Sequence, residues 1–392
     1  MRSAVTAFLT GASLLVSGFA HALPYKPADG TQVLERLPGK NDPAQQEFAR
    51  LRGELAAAQD KLPVAANLAR RYIDAGRREG DPRYLGYAQA VLAPWWTLEN
   101  PPSEVRVLRA TLLQSTHQFS RALADLDAVL KADRNNAQAW LTRATILMVQ
   151  GEYAQATNSC TRLYPLAPEL ITTTCLANIS SLNGQGIKSH GVLMAALKKA
   201  ADADPGIKLW VLTLLAEMAT RNGDDKQAEA DFRKALAIDD SDSYLLGAYA
   251  DFLLDRQRAA EAVALLKKHT RADSLLLRYA VALDAIKSPA AAEQIAILQA
   301  RFNAAMLRAD TVHQREQSRF ELQLARNPKA ALAIAQQNWN VQKEPADVRV
   351  FLEAAVAAGD KVAARPVLAW LRQAKLEDRA IAALAAKLVE SN

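Results

Sequence analysis

The residues able to do chemistry are few and scattered. Five histidines stand at positions 21, 117, 190, 269 and 313, and none belongs to the HExxH, HxH or Cys/His spacings that a metal centre requires. His117 falls in a turn between apolar runs, and His190 and His269 fall near helix ends, where a satisfied surface histidine is ordinary. The stretch NGQGIKSHG, residues 183–191, gathers three glycines and a lysine. It lacks the preceding strand and the spacing of a phosphate-cradling loop, so it reads as a loosened turn between helices. No GxSxG or GxGxxG is present, and Asp239-Asp240 sits at a segment boundary where helix-terminal carboxylates are common. The expectation is a protein with no catalytic residue, no cofactor and no metal, and hence not an enzyme.

The elements that would position any site are helical. Half of the 392 residues are apolar but only 6% are aromatic, so alanine and leucine dominate, and both favour helix. The net charge of +6 is spread among interleaved acids and bases, as in DDKQAEADFRKA, rather than gathered into a stripe, which argues against nucleic-acid binding. At the start, Arg2 precedes an apolar run from Ala4 to Phe19 and the small-x-small triplet Ala20, His21, Ala22. That pattern predicts a secretory signal peptide over residues 1–22, cleaved after Ala22. The run is too short and too rich in Ser and Thr to span a bilayer, and no later segment is apolar enough to do so. The mature chain is therefore expected to be periplasmic or secreted, with no stable membrane insertion, and the short Ala-rich signal suits a bacterium.

Residues 103–136 and 137–170 superimpose as 34-residue units, with Ala110 on Ala144, Leu113 on Leu147, Phe119 on Tyr153 and Ala122 on Ala156. A third copy, 209–242, sets Ala216, Gly223, Ala228, Phe232 and Ala235 in the corresponding places. A fourth, 243–272, carries Ala250 and Ala262. Apolar residues at i, i+3, i+4 and i+7 give each helix one buried stripe, and a Gly-centred turn joins two helices into an antiparallel hairpin. A lone hairpin cannot bury both faces, so such units stack.

Trp140, Ala144, Gly151, Ala156 and Pro168 together resemble the signature of the tetratricopeptide repeat, except that Cys160 stands where that family places an aromatic residue. The resemblance extends from about Leu62 to Gln373. It implies an all-α fold, a TPR-type α-solenoid in which antiparallel helix pairs wind into a superhelix. The expected organisation is an extended arm over 23–45, an N-terminal helix over 46–61, the repeat array over 62–376 and a capping helix over 377–392.

In characterised members of that family the first helices line a concave binding face. Transferred to the matching positions, the resemblance nominates Thr111, Gln114, Gln138, Leu141, Thr145, Trp210, Glu217, Arg221, Tyr244, Asp251 and Asp255 as the partner-binding groove. Trp210 and Tyr244 beside an acidic patch would suit an extended peptide with apolar and basic side chains; alternatively, the two aromatics pack between repeats. Cys160 and Cys175 fall on helices that neighbour each other in a stacked array. In an exported protein they either form a disulfide or remain two buried thiols. The function implied is an exported scaffold that holds a protein or peptide partner in the assembly or activity of a cell-envelope complex. The alternative is an exported small-ligand receptor or enzyme with its site between the irregular units at 171–205 or 273–312.

Overall fold

The computed structural model describes residues 29–31 and 41–389. The expected signal peptide and most of the expected arm lie outside the described residues. The described residues form 21 α-helices and no strand. The first, α1 (Pro43–Ala57), starts before the expected 46–61 because Asp42 caps it, its carboxylate accepting from the amides of Ala44 and Gln45, with a proline at the first helical position.

Helical hairpins follow in succession. They are α2 (Lys61–Glu79) with α3 (Arg83–Val91), trailed by the one-turn α4 (Ala93–Trp96); α5 (Ser103–Ser115) with α6 (Phe119–Ala132); α7 (Ala137–Val149) with α8 (Tyr153–Thr161); and α9 (Glu169–Ser181) with α10 (Gly186–Lys199). Then come α11 (Pro205–Asn222) with α12 (Asp225–Leu236), α13 (Ser243–Asp255) with α14 (Ala259–Leu266), and α15 (Asp273–Ala285) with α16 (Ala291–Leu307). The last pairs are α17 (Gln314–Gln323) with α18 (Pro328–Trp339) and α19 (Pro345–Ala358) with α20 (Lys361–Ala374), closed by α21 (Arg379–Val389). The first helices α2, α5, α7, α9, α11, α13, α15, α17 and α19 each touch the next and form one continuous inner layer.

The repeat alanines explain the close helix approach. Ala110, Ala122, Ala156, Ala216, Ala228, Ala250 and Ala262 have no exposed surface at all, and a larger side chain at any of them would force the two helices apart. A polar clip recurs across the first two clear units. Arg109 donates to Asp125 from Nε at 2.7 Å and Nη2 at 2.6 Å, and Arg143, 34 residues on, donates to Ser159 Oγ at 2.9 Å. Each clip ties first helix to second and satisfies a buried oxygen.

The hairpin turns need a left-handed residue. Gly151 (φ 78°) and Gly223 (φ 81°) supply it without steric cost, whereas His117 (φ 56°), Gln257 (φ 58°) and Lys287 (φ 54°) adopt it with a side chain. His117 is a turn histidine, as expected from the sequence, but it does not simply face solvent. It is mostly buried, and its Nδ1 lies 3.3 Å from the side-chain nitrogen of Gln342, 225 residues away. Burial, reinforced by the charge of Arg315, pushes its imidazole down to about 4. His190 likewise lies within α10, its side chain only 15% exposed and 3.9 Å from the buried Asp231.

The array closes on itself. The amide of Lys343 donates to Val149 O at 2.8 Å, Trp370 packs against Tyr153 at the α7/α8 turn, and the amide of Gly186 donates to the Glu377 carboxylate at 2.8 Å. At the other end, Ser243 Oγ donates to Arg77 O at 2.9 Å and Arg271 pairs with Asp81 at 3.0 Å. The later units thus run along the row of hairpin turns presented by the earlier ones, and α21 packs on both α19 and α11.

Candidate functional site

Closure decides what the inner layer can do. Glu217 and Arg221 on α11, Asp251 and Asp255 on α13, Arg278 on α15, Arg315 and Arg319 on α17 and Arg349 on α19 converge on one cavity of about 180 Å³. Five arginines and six carboxylates line it, so it is intensely charged yet close to neutral as a whole.

Asp251 and Asp255 are not available as an acidic patch for a basic peptide, contrary to the expectation from the sequence, because the chain's own arginines already occupy them. Asp251 accepts from Arg278 Nη2 at 2.6 Å and Nε at 2.9 Å on one oxygen, and from Arg319 at 2.6 Å on the other. Burial alone would raise this carboxyl, but the charges of Arg278 and Arg319 outweigh it and hold Asp251 well below the usual carboxylate range. Asp255 takes a bidentate pair from Arg349 at 2.6 and 2.7 Å, and Arg349 also donates to Glu353 at 2.7 Å.

A second charged knot fixes the α17–α19 junction. Arg315 meets Glu344 at 3.0 Å, Glu316 at 3.3 Å and Asp347 at 3.6 Å. Asp347 caps α19 by accepting from the Glu344 amide at 2.9 Å and also accepts from Asn338 at 2.9 Å. Burial lifts its carboxyl to about 6 despite Arg315, whereas at Glu316 the Arg315 charge overcomes burial and brings the group down to about 2.

Glu217 and Tyr244 behave differently. The Tyr244 hydroxyl donates to both Glu217 oxygens, at 2.9 and 3.0 Å, while the residue as a whole is 58% exposed. Burial raises the Glu217 carboxyl against the pull of Arg221, and burial together with the Glu217 charge drives the Tyr244 hydroxyl well above its ordinary value. Arg221 reaches back to α9, donating to Ser181 at 3.0 Å.

The remaining nominated residues lie elsewhere. Trp210 is half-buried against the cluster of Leu170, Leu193 and Leu214 and does not reach the cavity. Thr111 and Thr145 turn their hydroxyls back to Val107 O and Leu141 O, both at 3.0 Å, and Leu141 packs beside Cys160. Gln138 bonds Thr142 at 3.1 Å, and Gln114 stands half-buried on α5. Arg278, Arg315, Arg319 and Arg349 were not nominated from sequence. The one hint was the i,i+4 spacing of Arg315 and Arg319, which puts two cations on one helix face.

Cys160 of α8 and Cys175 of α9 are joined in a disulfide, with Cα atoms 5.7 Å apart and both residues buried. Among the described residues no cluster of three or more His, Cys, Asp or Glu is placed to hold a metal ion, and no helix is long and apolar enough to cross a membrane.

Residues 208–305 match the family model described as tetratricopeptide repeat. That segment of the chain carries the tetratricopeptide-repeat pattern. No curated protein sequence matches it. Among solved structures it is similar to a tetratricopeptide repeat protein from Parabacteroides merdae, at 13% identity over 64% of this chain and 98% of that one, with a TM-score of 0.39. Human IFIT1, in a dimer with m7Gppp-AAAA, aligns at 16% identity over 88% and 84% of the two chains with a TM-score of 0.43. Yeast Tom70 aligns at 11% identity over 88% and 80%, with a TM-score of 0.42.

Proposed function

We propose that this chain is an exported interaction scaffold that holds a protein partner within a cell-envelope assembly. A stacked helical array with no catalytic constellation among its described residues suits binding rather than chemistry. The disulfide between Cys160 and Cys175 suits an oxidising compartment, in keeping with the expected signal peptide cleaved after Ala22.

The observation that carries the reading is Tyr244. A tyrosine left 58% exposed while its hydroxyl is anchored on the Glu217 carboxylate is preorganised for contact, and few torsions remain to be frozen when a partner lands on it. With Asp251 and Asp255 neutralised internally, the partner's chief contacts would be an apolar group on the Tyr244 ring and one polar or basic group directed at Glu217.

The test places a photo-cross-linking residue at position 244 in the full chain expressed in its native envelope, with the same residue at exposed Tyr164 as the comparison. A discrete adduct from position 244 that is absent from position 164, and is weakened by Glu217→Gln, is the expected result. Equal labelling from both positions would remove Tyr244 as the contact. Recovery of the protein from the cytoplasm with residues 1–22 intact would remove the exported role.

A further inference from the structure

The closed array encloses a second cavity that the inner-layer charges do not reach. Its volume is about 660 Å³, within the roughly 300–1,000 Å³ usual for small-molecule sites. One wall comes from the α2/α3 hairpin and α5, the other from α16 and the loop leading to α17, segments about 200 residues apart in the chain. The cavity therefore exists only because the later units return to the earlier ones.

Its lining is mixed, with Gln89, Ser115, Thr116, Gln118 and His313 beside apolar side chains. Leu85, Trp96, Leu112, Leu113 and Phe302 supply the apolar walls, and Val312 borders the far side. Its rim is cationic. Arg301 pairs with Asp273 at 2.5 Å, and Arg308 approaches Asp310 at 4.0 Å. Arg121 donates to the side-chain oxygen of Gln118 at 2.5 Å and forms no ion pair among the described residues. Among the lining residues three arginines stand against two aspartates, with His313 beside them, so the rim leans cationic.

We infer that this cavity binds an amphipathic monoanion, a long-chain carboxylate whose apolar tail lies between Trp96 and Phe302 and whose carboxylate meets Arg121. Apolar walls reward a hydrocarbon, and an arginine without a carboxylate partner rewards a carboxylate specifically. A neutral chain of equal length would forfeit the second contribution, and a cationic one would meet repulsion.

Gly86 permits a clean test. It lines the cavity from inside α3, and a Cβ built there meets no atom within 4 Å. Gly86→Leu would therefore start its side chain in open space and narrow the cavity, and leucine is the better helix former. Isothermal titration of the full chain with dodecanoate, dodecanol and dodecyltrimethylammonium, each below its aggregation concentration, should show dodecanoate binding at least about tenfold tighter than dodecanol and the cation weakest. Arg121→Gln should abolish that preference while leaving the dodecanol affinity unchanged. Gly86→Leu should weaken binding of all three without lowering the thermal melt. No dodecanoate binding, equal affinities for the three probes, or undiminished binding by Gly86→Leu would each overturn the assignment.

Discussion

The inner layer presents the same helix register in the early and late units, but different things meet it. At α5 and α7, Thr111 and Thr145 spend their hydroxyls on carbonyls of their own helices, and Gln138 bonds within its own turn. At α13, Asp251 stands where Thr111 and Thr145 do, and it and the neighbouring Asp255 are clasped by arginines from helices up to 94 residues further on. The early face is therefore locally satisfied, whereas the late face is satisfied only because the chain returns to it. Position in the repeat determines which side chains look inward, and closure determines what they find there.

The widest separation between the two regions is expected in stability. Asp251→Ala would leave Arg278 and Arg319, only 13% and 18% exposed, without the carboxylate they share. Breaking such a pair from one side should cost about 3–4 kcal/mol, read as a lower urea midpoint at unchanged m-value. A loss below about 1 kcal/mol, the scale of an exposed pair, would mean the late face is solvated like the early one.

The disulfide tests the early region by a different route. Cys160 and Cys175 lie 15 residues apart and couple α8 to α9, so the bond constrains the unfolded chain rather than the closure. Replacing both by Ser should cost about 3 kcal/mol in the loop-entropy account. If Asp251→Ala and the double Ser variant act on separate features, their effects should add to within about 0.5 kcal/mol. Strong non-additivity would show that the early and late regions unfold as one tightly coupled unit.

Much of this architecture can be read from residues that act locally. Ala144, Ala156, Ala216 and Ala228 announce the hairpins because helix approach demands small side chains at a fixed spacing. The turns at His117, Gln257 and Lys287 are harder to read, since a left-handed backbone there is imposed by the hairpin and no glycine marks it. The α1 start was shifted by a cap and a proline, Asp42 and Pro43, that precede any apolar period. The site itself was half legible. Glu217, Arg221, Asp251 and Asp255 do line the inner cavity, but Trp210 has an apolar cluster nearer than the cavity. The pairing of Asp255 with Arg349, or of Gly186 with Glu377 across 191 residues, leaves no trace in a 34-residue pattern, because superhelical curvature accumulates from small rotations at every unit.

Acid titration probes the late region at a finer scale. Asp347 titrates near 6 in the folded chain against an ordinary value of 3.8, so the folded state holds this proton more tightly than the unfolded one. Its contribution to stability is then full below about pH 4 and is lost as pH rises through 6. Buried His117, brought down to about 4 from 6.5, acts in the opposite sense over the same range, its contribution being lost as pH falls. A wild-type profile alone would blend the two. The difference between Asp347→Asn and wild type isolates the carboxyl, and it should move in favour of the variant by about 2 kcal/mol between pH 4 and pH 7, measured by urea unfolding. A pH-independent difference would mean that Arg315 holds Asp347 ionised throughout.

The smallest effects belong to the early face, and they sharpen the contrast most directly. Thr145→Val removes a hydroxyl that bonds only its own helix, and Gln138→Ala removes an exposed side chain. Each should change stability by no more than about 0.5 kcal/mol, as expected for sites away from packing or charge networks. A cost as large as that of Asp251→Ala at either position would mean that something in the closed array meets the early face as well. The difference between a locally satisfied face and one satisfied by the returning chain would then disappear.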